Sequence, residues 1–253
     1  MGYIRALLCV VLASICGIAH ADGDRLCRAY VTSPDYFSHP KAIEYIKTGV
    51  VAQGFAPKFS REFYAAILGR SDDLAKLLAS RDKNKPFEVD ILRSAVQSGE
   101  LQSVKLLLQA GAPPDLGGDE GGTPLLAAIH CDEPMMMSYL LAAGADVYWH
   151  DQTYGDAMIS AIGKDSIESA RILLLGGYDP GCATYLGPQH EAEALANRLG
   201  DADMVLLLSS FREIRAHSNP KKTCALPIRD KTPLQERPIS GDVGGMAYWP
   251  PRY

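Results

Sequence analysis

The sequence predicts an all-α solenoid of about five stacked helix-turn-helix units, and three recurrences predict it. Glycine returns at Gly111, Gly144 and Gly177, a spacing of 33 and then 33. A small residue returns on nearly the same ruler at Ala65, Ala95, Ala128, Ala161 and Ala196. Leucine pairs close the units at Leu77 and Leu78, Leu107 and Leu108, Leu140 and Leu141, and Leu173 and Leu174, with Leu208 alone surviving in the fifth. Self-similarity at such a period marks a repeat architecture, in which one unit cannot bury its own apolar face and neighbours must stack.

Each element follows from this ruler. The alanine marks a first helix that lies close to its neighbour, as over residues 124–129. Four residues later stands Gly69, Gly99, Asp132, Asp165 or Gly200, where a tight turn reverses the chain. Nine residues after the alanine stands Leu74, Val104, Met137, Ala170 or Val205, within an apolar stripe at helical spacing such as Leu101, Val104, Leu107 and Leu108. Gly111, Gly144 and Gly177 fall just past the second helix, where a left-handed residue closes it cheaply.

The flanks divide the rest of the chain. Residues 1–21 have one positive charge, Arg5, then a charge-free run over 6–19 and small residues at Ala19 and Ala21. This layout predicts a secretory signal peptide cut after Ala21. The apolar run of 14 residues is short of the roughly 20 needed to span a bilayer. Residues 22–58 form an N-terminal segment with a capping helix near 39–54, whose Ala42, Ile43, Tyr45, Ile46 and Val50 fit a face lying on the array. The repeats occupy 59–215. Residues 216–253 are Pro-rich, lack periodicity and predict an irregular tail.

With "TPLLAA" at 123–128, "SGELQSVKLLLQAGA" at 98–112 and "LLAAGADV" at 140–147, the chain resembles the ankyrin-repeat family. The resemblance covers about five units. Units two and three carry its most specific sequences, while unit four has "DAMISA" where the family has its Thr-Pro-Leu-His sequence, and units one and five are degenerate in the manner of end caps. The resemblance implies a non-catalytic scaffold that binds another protein through its projecting hairpin fingers and its concave face. On that ruler, residues 148–155 form the finger between units three and four. Tyr148, His150 and Tyr154 stand where the family prefers small polar residues, and Trp149 stands where it usually has alanine. Trp149 therefore admits two readings, partner contact or packing against the next finger. Tyr178 and Tyr185 on the following finger would extend an aromatic patch. Aromatic side chains supply much of the energy of protein interfaces.

Charge points to the same class of function. Removing the signal, with Arg5, leaves 24 bases against 30 acids, a net −6. Six bases and three acids lie from Ala216 onward, so the tail carries +3 and the body −9. An acidic body argues against nucleic acid and suits a basic protein partner. Four cysteines remain, Cys27, Cys131, Cys182 and Cys224, with three possible connectivities. The array implied by the resemblance puts Cys182, at the base of the fourth finger, and Cys224, in the tail, at one end. That makes theirs the expected disulfide, with Cys27 at the opposite end. None of the three asparagines begins a glycosylation sequon, which favours the bacterial periplasm over secretion from a eukaryotic cell.

Motifs for chemistry are missing. "HEAEAL" at His190 has no second histidine four residues on, His130 and Cys131 have no paired Cys-x-x-Cys element, and "GGDEGG" at 117–122 is not followed by Gly-Lys-Ser/Thr. No cofactor, metal or active site is expected. The sequence reading is therefore an exported binder with no membrane insertion once its signal is cut. Its concrete form is a periplasmic immunity or inhibitor protein that neutralises a basic secreted effector or enzyme. The alternative is a general accessory or stress-protective factor of the envelope with no single tight partner.

Overall fold

In the computed structural model, the described residues are 27, 40–117, 122–149, 156–180 and 192–218. Eleven helices lie among them. A capping helix α1 (Pro40–Thr48) precedes five pairs: α2 (Arg61–Ile67) with α3 (Ser71–Ala79), α4 (Ile91–Gln97) with α5 (Leu101–Gln109), α6 (Pro124–His130) with α7 (Pro134–Ala142), α8 (Ala157–Gly163) with α9 (Ile167–Leu175), and α10 (Ala192–Leu199) with α11 (Ala202–Ser218). The first helices pack on one another in sequence, α2 on α4, α4 on α6, α6 on α8 and α8 on α10. The second helices do the same, α3 on α5, α5 on α7, α7 on α9 and α9 on α11. The result is a two-layer stack of inner and outer helices.

The small-residue column explains how close the inner layer is. Ala65, Ala95, Ala128, Ala161 and Ala196 are all fully buried. A larger side chain there would have to push neighbouring helices apart, since interiors are already close-packed.

The outer helices show which way each unit faces. Two adjacent columns, eight and nine residues after the alanine, are buried together in the three middle units as Ser103 and Val104, Met136 and Met137, and Ser169 and Ala170. In the first unit only the later column is buried, at Leu74, while Asp73 stays partly exposed in an ion pair with Arg70 at 2.8 Å. In the last unit only the earlier column is buried, at Met204, and Val205 is only half-buried. The earlier column therefore faces the preceding unit and the later column the following one. Each end loses the contact for which it has no neighbour.

Inner-helix starts show how unit four departs from the family's sequence without losing its function. Thr123 caps α6 by accepting from the Leu126 N–H at 3.3 Å. Asp156 does the same for α8, accepting from the Ile159 N–H at 2.9 Å. Ser60 caps α2 through the Phe63 N–H. Any short side chain with an acceptor oxygen can satisfy these otherwise orphaned donors.

The inner-to-outer turns all hold a left-handed residue at the predicted position. Gly69, Gly99 and Gly200 do so without a Cβ, but Asp132 at φ 52° and Asp165 at φ 56° carry side chains. Asp is among the few residues that tolerate this region. At Asp165, desolvation comes first, followed by the hydrogen bond and charge of Asp201 and the charge of Asp203. Together they raise its carboxyl above the ordinary range.

Several expectations are corrected. α1 ends at Thr48, and the Gly49 N–H returns to the Tyr45 carbonyl at 2.8 Å. The chain then leaves the array, so Val50 is 60% exposed and takes no part in the capping face, which buries Ala42 and Ile46. α11 runs to Ser218, past the expected start of the tail at residue 216. Cys27 does not stay at the N-terminal end. It is bonded to Cys131, at the end of α6 in the third unit, with a Cα–Cα distance of 5.4 Å. Cys182, Cys224, the signal segment and residues 219–253 lie outside the described residues.

Two predictions follow from the packing and the turns. Ala128→Leu lowers stability by about 1–3 kcal/mol by overpacking the inner layer, whereas Ala142→Leu, on an exposed position of α7, leaves it nearly unchanged. Urea unfolding of the two variants checks this. Asp165 is easier to keep protonated when folded, so its contribution to stability is present at acid pH and lost as pH rises above about 4. Asp165→Asn therefore melts higher than the parent at pH 7, and the gap narrows as pH falls toward 4. A gap independent of pH contradicts the assignment.

Candidate partner-binding edge

The segments that follow the first four outer helices are the expected fingers, described over residues 80–90, 110–117, 143–149 and 176–180, and hydrogen bonds from backbone N–H groups to side-chain oxygens join the last three. The Asp146 N–H donates to Asp115 Oδ1 of the preceding finger at 2.9 Å. Within its own finger, Asp146 Oδ1 accepts from the Tyr148 N–H at 3.0 Å. The Tyr148 hydroxyl oxygen accepts from the Asp179 N–H of the next finger at 2.7 Å. Asp115, Asp146, Tyr148 and Asp179 thus connect three successive fingers. Sequence reasoning missed the aspartates as a set, although their spacings of 31 and 33 repeat the ruler.

This ladder changes the role of the aromatic residues. Tyr178 is fully buried, so it does not extend a surface patch as expected. Its ring stacks on Tyr148 at 5.1 Å between centroids, with 30° between planes. Burial, then the charge of the Asp156 carboxylate, pushes the Tyr178 phenol far above its ordinary range, so it stays neutral. Tyr148 is half-buried, with its ring and hydroxyl both engaged by the fourth finger. Trp149 packs against the core cluster while remaining half-buried, which favours the packing reading of its two alternatives. His150, Tyr154 and Tyr185 lie outside the described residues.

Finger one has a different character. Residues 82–86 are exposed, and the stretch "RDKNK" at 81–85 has three bases and one acid. The Arg81 guanidinium lies over the Phe87 ring at 3.8 Å, and it donates to the carbonyls of Asp82 and Lys85. Glu88 fixes the returning arm of the finger by accepting from the Ser60 N–H and hydroxyl. The finger edge therefore begins basic and becomes acidic at Asp115 and Asp146. The whole-body charge count concealed this division, although the run of bases is plain at the first finger's position.

No set of three or more His, Cys, Asp or Glu side chains among the described residues is placed to hold a metal ion. The depression between the ends of α3 and α5 is lined by Leu78, Arg81, Lys83, Gln109, Ala110 and Gly111, with no nucleophile and base in register. No helix among the described residues is long and apolar enough to cross a membrane.

The family model for ankyrin repeats, three copies long, matches residues 63–151 and again 92–184. The chain carries ankyrin repeats over residues 63–184. Ankyrin repeats serve as protein-binding scaffolds, and this chain presents one. The comparison with curated proteins finds no match.

The Tyr148 contact yields a prediction. Tyr148→Phe keeps the ring stack but leaves the Asp179 N–H without its acceptor, at a cost of about 0.5–1.5 kcal/mol. Tyr148→Ala loses both contacts and costs more. Equal stability of Tyr148→Phe and the parent in urea unfolding contradicts the bond.

Proposed function

We propose that this ankyrin-repeat protein is a non-catalytic binder, exported to the periplasm, that holds one protein partner along its finger edge. In its concrete form the partner is a basic secreted effector or enzyme, and this chain is its immunity or inhibitor protein. The observation that carries the reading is the finger ladder. Buried Tyr178 and the Asp115–Asp146–Tyr148–Asp179 bonds hold the second, third and fourth fingers in fixed register. A rigid edge binds with less entropy to lose than a mobile one. The signal-like residues 1–21 support export, and the net charge of the body supports a basic partner.

The contact surface in this reading consists of finger tips rather than the Tyr148–Tyr178 stack. His150, Tyr154 and Tyr185 remain its proposed aromatic anchors, with the net negative charge of the body supplying attraction. Charge-steered association weakens with salt because exposed charges are screened beyond about 10 Å at 0.1 M.

Affinity capture from a native envelope extract on the tagged chain tests this proposal. One stoichiometric basic protein is expected, with Kd rising steeply between low and high salt and at least tenfold weaker binding by the His150→Ala, Tyr154→Ala double variant. A diffuse capture profile favours the accessory, stress-protective role instead. Hydrolysis that appears with the purified chain and vanishes with chelator contradicts the non-catalytic reading.

A further inference from the structure

The Cys27–Cys131 bond joins the N-terminal segment to the third unit across a sequence separation of 104 residues. The loop it closes contains α1 to α6, which is the cap, two complete units and the inner helix of the third. That stretch includes the N-terminal end of the array, where the cap and the outer helix of the first unit bury few side chains although α2 buries five. The capping helix buries only Ala42 and Ile46, and α3 buries only Leu74. By comparison α7 buries Met136, Met137 and Leu140, and α9 buries Ser169, Ala170, Leu173 and Leu174. A linear array is held by its nearest-neighbour interfaces, so an end with one neighbour opens before the middle.

We propose that Cys27–Cys131 is a redox-sensitive clasp that controls whether the cap and first unit stay folded on the array. Cross-linking a loop of this length restricts the unfolded chain strongly, and the closed loop takes in the N-terminal end of the array, whose first unit has no preceding unit.

Release of the clasp requires a dithiol reductant. A donor thiolate attacks one sulfur of the bond, giving a mixed disulfide, and the donor's second thiolate then displaces the remaining cysteine. Two electrons pass to the protein, two protons move from the donor thiols to Cys27 and Cys131, and the donor leaves as its own disulfide. Units four and five lie outside the closed loop, so the bond's loss acts on them only through their neighbours.

The test uses the full chain purified without reductant. Non-reducing digestion with mass mapping is expected to give a peptide joining Cys27 to Cys131, and any other partner for Cys27 overturns the proposal. Hydrogen exchange is then followed in the Cys182→Ser, Cys224→Ser variant with and without a dithiol, so that only this bond can respond. Reduction is expected to speed exchange at the protected amides of residues 40–79 at least tenfold, with a smaller change over 157–175. Cys27→Ser, which alters no repeat residue, is expected to behave as the reduced protein without added dithiol. Equal exchange over 40–79 in the oxidised, reduced and Cys27→Ser proteins overturns the proposal, as does a loss spread evenly over all units.

Discussion

The close approach of the inner helices through the alanine column is the constraint on which the rest of the structure depends. Because Ala65, Ala95, Ala128, Ala161 and Ala196 have no accessible surface, each inner helix can lie against the next at the short end of helix spacings. That spacing determines the distance between fingers. It brings Asp115 within reach of the Asp146 N–H, and Tyr148 within reach of both Tyr178 and the Asp179 N–H. A finger edge in fixed register is thus a consequence of small side chains in the core some distance away.

The same logic accounts for the weakness of the ends. A middle unit has two neighbours and buries both columns of its outer helix. The end units have one neighbour each and bury one column, Leu74 in the first and Met204 in the last. The two ends are treated differently. The N-terminal end has the capping helix α1 packed on α2, while α11 at the other end continues for 17 residues, well beyond the nine of α9. Leu199, Leu206 and Ile214 are exposed there, as an array with no following unit would leave them.

Most of the repeat scaffold was legible in the sequence because repetition amplifies a weak signal. A single Ala or Gly says little, but five in register identify the inner helix, its turn and its outer partner, including the left-handed Asp132 and Asp165. Features without repetition were harder to read. Val50 fits the helical spacing of the cap but lies beyond Gly49, where the helix has closed. Cys27 is distant in sequence from every unit, so nothing in the ruler could show that it meets Cys131. The aromatic finger is the most instructive case. Tyr148 and Tyr178 were conspicuous for their size, but size alone does not separate a contact residue from a structural one. Their stacking, and the full burial of Tyr178, depend on contacts between two fingers that no single repeat reveals. Conversely, the bases of finger one were visible but hidden within an acidic total.

The central claim is that the finger edge, and not the outer-helix face, is where a partner sits. Hydrogen exchange of the chain with its captured partner bound tests this most directly. Slowed exchange is expected over residues 113–117 and 143–149, with no change over α7 beside the exposed Met135 and Tyr139. Protection confined to α7 and its neighbouring outer helices, with the fingers unchanged, would contradict it.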